Sequence, residues 1–304
     1  MAIVSVENLK MSYDKGRVKA LKGVTFDVEE GEIFGLIGPD GAGKTSLFRI
    51  LTTLLLADSG KAVVDGMDVV NDYKKIRQHI GYMPGRFSLY QDLTVEENLS
   101  FFATVFNTTI EENYHLVEDI YRQIEPFKKR KAGKLSGCMK QKLALSCALI
   151  HAPHVLFLDE PTTGVDPVSR KEFWEMLQKL KKNFKLSIVV STPYMDEALQ
   201  CDRIALIQDG QFLTIDTPEN IIRTYTQTLW SLRSDKMHKL LTDLRGIDGV
   251  KTAFAFGENH HATIDTSVLT VDSLRNRLVS LGHRNIVIEV VEPTIEDCFM
   301  NLQK

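Results

Sequence analysis

Residues 38–45 read Gly38-Pro39-Asp40-Gly41-Ala42-Gly43-Lys44-Thr45, which fills the phosphate-loop pattern GxxxxGK[ST]. Before the loop runs Ile33-Phe34-Gly35-Leu36-Ile37, apolar and of strand length. After it, Ser46 to Leu54 is apolar at helical spacing. The motif carries meaning only in that strand-loop-helix context. Its glycines let successive backbone N–H groups curl into an anion nest at a helix N-terminus. Lys44 is placed to reach β- and γ-phosphates, and the Thr45 hydroxyl to ligate Mg²⁺. The pattern predicts a chain that binds a nucleoside triphosphate.

A second motif completes such a site. Val155-Leu156-Phe157-Leu158-Asp159-Glu160 is an apolar strand ending in two carboxylates. Asp159 at the strand tip would stand beside the phosphate-loop Mg²⁺. Glu160, one residue on, would polarise a water for in-line attack on the γ-phosphate.

Composition limits the alternatives. The 304 residues are 43% hydrophobic, enough for about two domains with buried cores. A formal net charge of -3 gives no pull toward nucleic acid or an anionic membrane surface. The cysteines Cys138, Cys147, Cys201 and Cys298 form no CxxC pair, which fits a reducing cytosol. No basic-then-apolar leader follows Met1, so no secretion is expected. No run approaches the roughly 20 apolar residues that span a bilayer, so a pore would have to come from another polypeptide.

Along the chain, Val4–Leu9 and Val24–Val28 alternate like an antiparallel pair. A short strand is expected at Lys61–Val64. From Leu93 to Leu149 the pattern is helical, opening on a capping box at Thr94-Val95-Glu96-Glu97. His154–Asp159 and Ser187–Ser191 read as buried parallel strands, with an amphipathic helix over Arg170–Lys182 between them. Asp209-Gly210 marks a hairpin. Composition shifts near Pro218–Thr228. Beyond it the order is strand (Leu229–Arg233), helix (Met237–Arg245), strands (Val250–Phe256 and Ala262–Asp265), helix (Val271–Leu281) and strand (Asn285–Val291). That is the ferredoxin-like β-α-β-β-α-β order.

Between the two nucleotide motifs lies Leu135-Ser136-Gly137-Cys138-Met139, directly before a helix. Here the chain resembles the nucleotide-binding subunits of ABC transporters, whose signature reads LSGGQ or LSGGM, and the likeness runs from about Val4 to Pro218. It implies an α/β fold: a RecA-like P-loop ATPase core with an antiparallel β subdomain and a helical subdomain over about 86–150. The cassette would occupy residues 1–220, and a small α+β ferredoxin-like domain for dimerisation or regulation residues 225–304. ATP and Mg²⁺ are the implied ligands. The nucleotide would be held by Tyr13 (where the family stacks an aromatic residue on adenine), Gly38, Pro39, Asp40, Gly41, Ala42, Gly43, Lys44, Thr45 and Ser46. Thr45 and Asp159 would hold the metal, and Glu160 would be catalytic. Thr163-Gly164-Val165-Asp166 matches the family's interface-crossing loop. Two cassettes sandwich two nucleotides in this family, so Ser136 and Gly137 would act on a partner's ATP.

The sequence departs from the pattern at three points. The family's glutamine after IGYxP is Gly85 here, in Ile80-Gly81-Tyr82-Met83-Pro84-Gly85. Neighbouring Arg86 is cationic and reads as a surface group, and Gln91 lies too far along to substitute. The switch histidine is replaced in Ser191-Thr192-Pro193, and proline offers neither a side-chain donor nor an N–H. Cys138 replaces the signature's second glycine, and Asp40 the loop's common asparagine. Binding groups are present while two groups that organise hydrolysis are missing.

None of the eight histidines falls in a metal-ligand spacing, and His260-His261 reads as an exposed hairpin turn. The ending Val291-Glu292-Pro293-Thr294-Ile295-Glu296-Asp297-Cys298-Phe299 resembles that of bacterial exporter ATPases. The expectation is an ATP-driven export subunit on the inner, cytoplasmic face of a membrane. It would dock on a separate permease through Phe87–Phe106, pair with a second cassette as the catalytically weak half of a heterodimer, and bind no nucleic acid. The competing expectations are a soluble non-transport ABC ATPase and a fully active homodimeric transporter ATPase.

Overall fold

A computed structural model describes residues 2–303, which divide into two compact units, one up to Pro218 and one from Glu219 onward. In chain order the first contains β1 (Ala2–Tyr13), β2 (Val18–Glu29), β3 (Ile33–Ile37), α1 (Lys44–Leu51), β4 (Ser59–Val64), β5 (Met67–Asp68), α2 (Tyr73–His79) and β6 (Ile80–Met83). There follow α3 (Val95–Val105), α4 (Ile110–Tyr121), α5 (Gly137–Leu149), β7 (Val155–Asp159), α6 (Pro167–Phe184), β8 (Ser187–Thr192), β9 (Arg203–Gln208) and β10 (Gln211–Asp216).

The central sheet has the order β10-β9-β3-β8-β7-β6, parallel except for β10. Strands β3, β7 and β8 are buried along their whole length, which is why they read as unbroken apolar runs rather than alternation. Phe48 of α1 packs edge-on against Phe157 of β7, ring centres 5.8 Å apart. Phe26 of β2 stacks on Phe34 of β3 at 5.3 Å. The Phe26–Phe34 contact joins the central sheet to an antiparallel sheet, β2-β1-β4-β5, and all four rings belong to one core.

Strands β1 and β2 are about twice as long as their sequence pattern indicates. Register shifts between Val6 and Leu9 and between Met11 and Ser12 break the two-residue alternation that reveals a strand. In the helical region the Thr94 hydroxyl accepts from Glu97 N–H, and the Glu97 carboxylate accepts from Thr94 N–H. That reciprocal cap fixes where α3 begins.

The second unit opens within α7 (Pro218–Arg223) and further comprises β11 (Thr228–Arg233), α8 (Met237–Arg245), β12 (Val250–Phe256), β13 (Asn259–Ile264), α9 (Val271–Ser280), β14 (Val287–Val291) and α10 (Ile295–Leu302). Its sheet is antiparallel in the order β12-β13-β11-β14. Leu240, Leu244, Leu274 and Leu278 pack on Trp230 and Leu232 as its core.

One expectation is corrected here. His260 and His261 lie in β13 and are buried, not exposed in a turn. His261 stacks on Phe256 at 3.9 Å, and its Nδ1 lies 2.7 Å from a carboxylate oxygen of the buried Asp297. A histidine pair reads as polar until the structure supplies partners from residues 36 positions away.

Candidate functional site

The phosphate loop leaves the carboxyl end of β3, the edge of an open parallel sheet where ligands bind. Gly43 caps α1 with φ 107°, and a Cβ there would stand 2.3 Å from the Ala20 carbonyl oxygen. Only glycine tolerates both conditions. At Gly38 a Cβ would meet the Ile207 carbonyl oxygen at 2.1 Å. The loop is further tied by Ala42 N–H to the Pro39 carbonyl and Gly210 N–H to the Ala42 carbonyl. Pro39, Asp40 and Gly41 are exposed. The Lys44 ammonium, 3% exposed, donates to the Gly38 carbonyl at 2.7 Å and the Pro39 carbonyl at 3.0 Å.

Strand order explains how distant residues meet this loop. Strand β8 lies between β3 and β7, with Ser191 level with both Leu36 and Asp159. The Ser191 hydroxyl donates to Asp159 at 2.7 Å and accepts the Glu160 N–H at 3.0 Å. The Thr45 hydroxyl donates to the same Asp159 oxygen at 3.3 Å. Thr45 and Asp159 thus present a hydroxyl and a carboxylate side by side, the oxygen donor set of a hard cation such as Mg²⁺. Glu160 holds a left-handed backbone with φ 52°, a strained conformation for a side chain of its size. Its carboxylate lies 3.2 Å from the Lys44 ammonium. Tyr13 joins the site from the end of β1, its hydroxyl 3.1 Å from that of Ser46.

Ser191 is the residue that sequence reasoning missed. It appears in the Ser191-Thr192-Pro193 run, but nothing local marks a serine in a buried strand as the bridge between two carboxylate residues.

The divergent positions fall at the same place. A Cβ on Gly85 would lie 3.0 Å from the Asp159 carbonyl oxygen and 3.8 Å from the Glu160 Cβ. Pro193 follows Thr192, whose carbonyl accepts from Gly38 N–H at 3.3 Å. Arg86 is exposed, and Gln91 is fastened elsewhere, its carbonyl accepting from Gly133 N–H. Burial, reinforced by the Asp159 charge, pushes the Tyr82 phenol up to about 12.

Ser136 and Gly137 are not brought to this loop. They open α5, both exposed, with the Ser136 hydroxyl accepting from Met139 N–H. Thr163 and Asp166 flank the start of α6, where Asp166 caps the helix through Ser169 N–H.

A groove of about 400 Å³ opens beside β6 and α3, lined by Tyr82, Met83, Leu89, Phe102 and Phe106. Asp65, His79 and His154 converge, although no sequence spacing announces a histidine-carboxylate cluster.

Residues 21–163 match the protein family described as ABC transporter. The chain is 42% identical over 221 residues to the probable multidrug ABC transporter ATP-binding protein YbhF of Escherichia coli (strain K12), covering 71% of this chain. It spans only 38% of that relative's length. It is 30% identical to the linearmycin resistance ATP-binding protein LnrL of Bacillus subtilis (strain 168), over 99% of this chain and 98% of the relative. Among solved structures it is similar to the dimeric post-hydrolysis state of the ATP-binding cassette MJ0796 bound to ADP and Pi. The TM-score is 0.64 and the identity 26%, over 70% of this chain and 98% of that one.

Proposed function

The chain belongs to the ABC transporter ATP-binding family, and from that premise we propose that it couples ATP binding and hydrolysis to substrate export through a separate membrane permease, as the catalytically weak half of a heterodimer. The relatives named as a probable multidrug ABC transporter ATP-binding protein and a linearmycin resistance ATP-binding protein support the export direction. No helix among the described residues is long and apolar enough to cross a membrane. The permease would be met at the apolar groove of Tyr82, Met83, Leu89, Phe102 and Phe106. In this reading the chain works at the cytoplasmic face.

In the mechanism, backbone N–H groups of residues 38–45 and the Lys44 ammonium take the phosphate oxygens of ATP. Mg²⁺, held by Thr45 and Asp159, would supply charge neutralisation at the phosphates. Ser191 holds Asp159 and the Glu160 backbone in place. Glu160 accepts the proton of the attacking water as the γ-phosphate bond breaks. Nothing at Gly85 orients that water, and Pro193 gives the γ-phosphate no donor. Losing one preorganised transition-state contact costs on the order of 10²–10³ in rate, and two in one unit are not simply additive.

The observation that supports the proposal is the place of Gly85 beside the Asp159 carbonyl and the Glu160 Cβ: where the family's glutamine is expected, no side chain extends from that position. Ser136 and Gly137, exposed at the start of α5, are free to serve a partner cassette with an intact site. Purified alone, the protein is expected to show near-background ATPase activity, and G85Q combined with P193H to raise it. Gly85 has no left-handed φ, and a Cβ there requires the Asp159 carbonyl to give by a few tenths of an ångström. Brisk hydrolysis by the unmodified chain alone, abolished by E160Q, would favour an active homodimer instead.

A further inference from the structure

We propose that Asp65, His79 and His154 form a binding site for a borderline divalent transition-metal cation, Zn²⁺ in the first instance. The three residues come from separate segments of the first unit. Asp65 occupies the turn after β4, with a left-handed φ of 52° and its N–H bonded to the Ile3 carbonyl. His79 ends α2, and His154 stands immediately before β7. The N–H of His154 donates to the His79 carbonyl at 2.8 Å, so the backbone already pairs the two histidines. Their rings meet edge to face with centres 4.9 Å apart.

Both rings turn the same atom inward. The Nδ1 of His79 lies 2.7 Å and the Nδ1 of His154 2.9 Å from one Asp65 oxygen, Oδ2. Two imidazole nitrogens and a carboxylate oxygen, all within 4.8 Å of one another, are a three-ligand set suited to Zn²⁺ rather than to Mg²⁺ or Ca²⁺. Ligand atoms around a tetrahedral Zn²⁺ with bonds of about 2.0 Å stand roughly 3.3 Å apart. Widening the two histidine–carboxylate spacings of 2.7 and 2.9 Å by about half an ångström admits the ion, once the two Nδ1 atoms, which lie within 4.8 Å of each other, reach the same spacing. The histidines have room for it, with side chains 40% and 57% exposed. A cavity of about 580 Å³ reaches Asp65 and His154 and leaves an open side for a water as fourth ligand.

A bound ion would clasp the β4–β5 turn, the end of α2 and the start of β7. This site is separate from the nucleotide loop and independent of the heterodimer reading. Its chemistry is structural or regulatory, since no nucleophile or substrate group on the cluster calls for catalysis.

The test uses the full chain, stripped with chelator and free of nucleotide and Mg²⁺. Titration with Co²⁺ alone is expected to give the strong visible absorption of a four-coordinate centre, saturating at one equivalent and bleached by Zn²⁺. Calorimetry with Zn²⁺ should show binding at least tenfold weaker in H79A and in H154Q. C138S should leave both signals unchanged, which excludes the half-buried thiol as the ligand. His154 is exposed, so H154Q is expected to melt normally without metal and keeps the test independent of folding. The proposal is overturned by an absent Co²⁺ band, by Zn²⁺ affinity unchanged in H154Q, or by loss of binding in C138S. A change in metal-free melting with no bound ion would leave the cluster a hydrogen-bonded triad and would equally overturn it.

Discussion

The Lys44 ammonium and a Glu160 carboxylate oxygen lie 3.2 Å apart, joining the cation proposed to take the phosphates to the proposed general base. In the proposed function, nucleotide phosphate and Glu160 would therefore compete for one positive charge. The E160Q variant is expected to bind ATP about threefold more tightly, roughly 0.6 kcal/mol, while hydrolysis stays near background as in the unmodified chain. Calorimetry with Mg²⁺ and ATP checks it; weaker binding in E160Q would mean that the carboxylate does not restrain Lys44.

Removing the cation itself has the opposite effect. K44A should weaken ATP binding at least tenfold, about 1.4 kcal/mol. G43A should do more, because its Cβ would stand 2.3 Å from the Ala20 carbonyl oxygen at a φ of 107°. It is expected to lose nucleotide binding and to lower unfolding stability by about 2 kcal/mol, read by calorimetry and urea titration. Equal ATP affinity in wild type and K44A would remove the phosphate loop from the site.

The second unit contains no phosphate loop, and the residues gathered around Lys44 all precede Pro218. A chain ending at Thr224 is therefore expected to fold and to bind ATP with wild-type affinity. Loss of binding by a truncated chain with native circular dichroism would give the C-terminal unit a direct part in the site.

A pH effect is expected in that second unit. Burial pushes the Asp297 carboxyl upward, but hydrogen bonds from His261 and from the Thr294 N–H and hydroxyl outweigh it and hold the group below its ordinary value. A depressed carboxyl contributes stability that is fully present above its unfolded value, near 4, and is lost as pH falls through the lower folded value. D297N should cost about 1–3 kcal/mol at pH 7, and the difference should shrink as pH drops below 4. Urea unfolding of the full chain, followed through the Trp230 region, at pH 7 and pH 3 measures it. A difference independent of pH would show that the carboxylate charge plays no part.

What the sequence by itself determined lies within short stretches. The phosphate loop, the Thr94 capping box and the Asp209-Gly210 hairpin are each set by residues a few positions apart, because backbone dihedrals and local hydrogen bonds encode them. The order of elements after Thr228 was legible for the same reason, as a change of period from two to 3.6. The length of β1 and β2 was not, since bulges cancel the alternation that marks a strand. Tertiary structure alone decided what meets what. Placing β8 between β3 and β7 makes Ser191 the bridge to Asp159 and Glu160, and brings Glu160 onto Lys44. It also buries His261 against Asp297 and gathers Asp65, His79 and His154 from three segments. Such pairings depend on strand order and loop closure across tens of residues, and a burial partner that distant leaves no periodic trace in the chain.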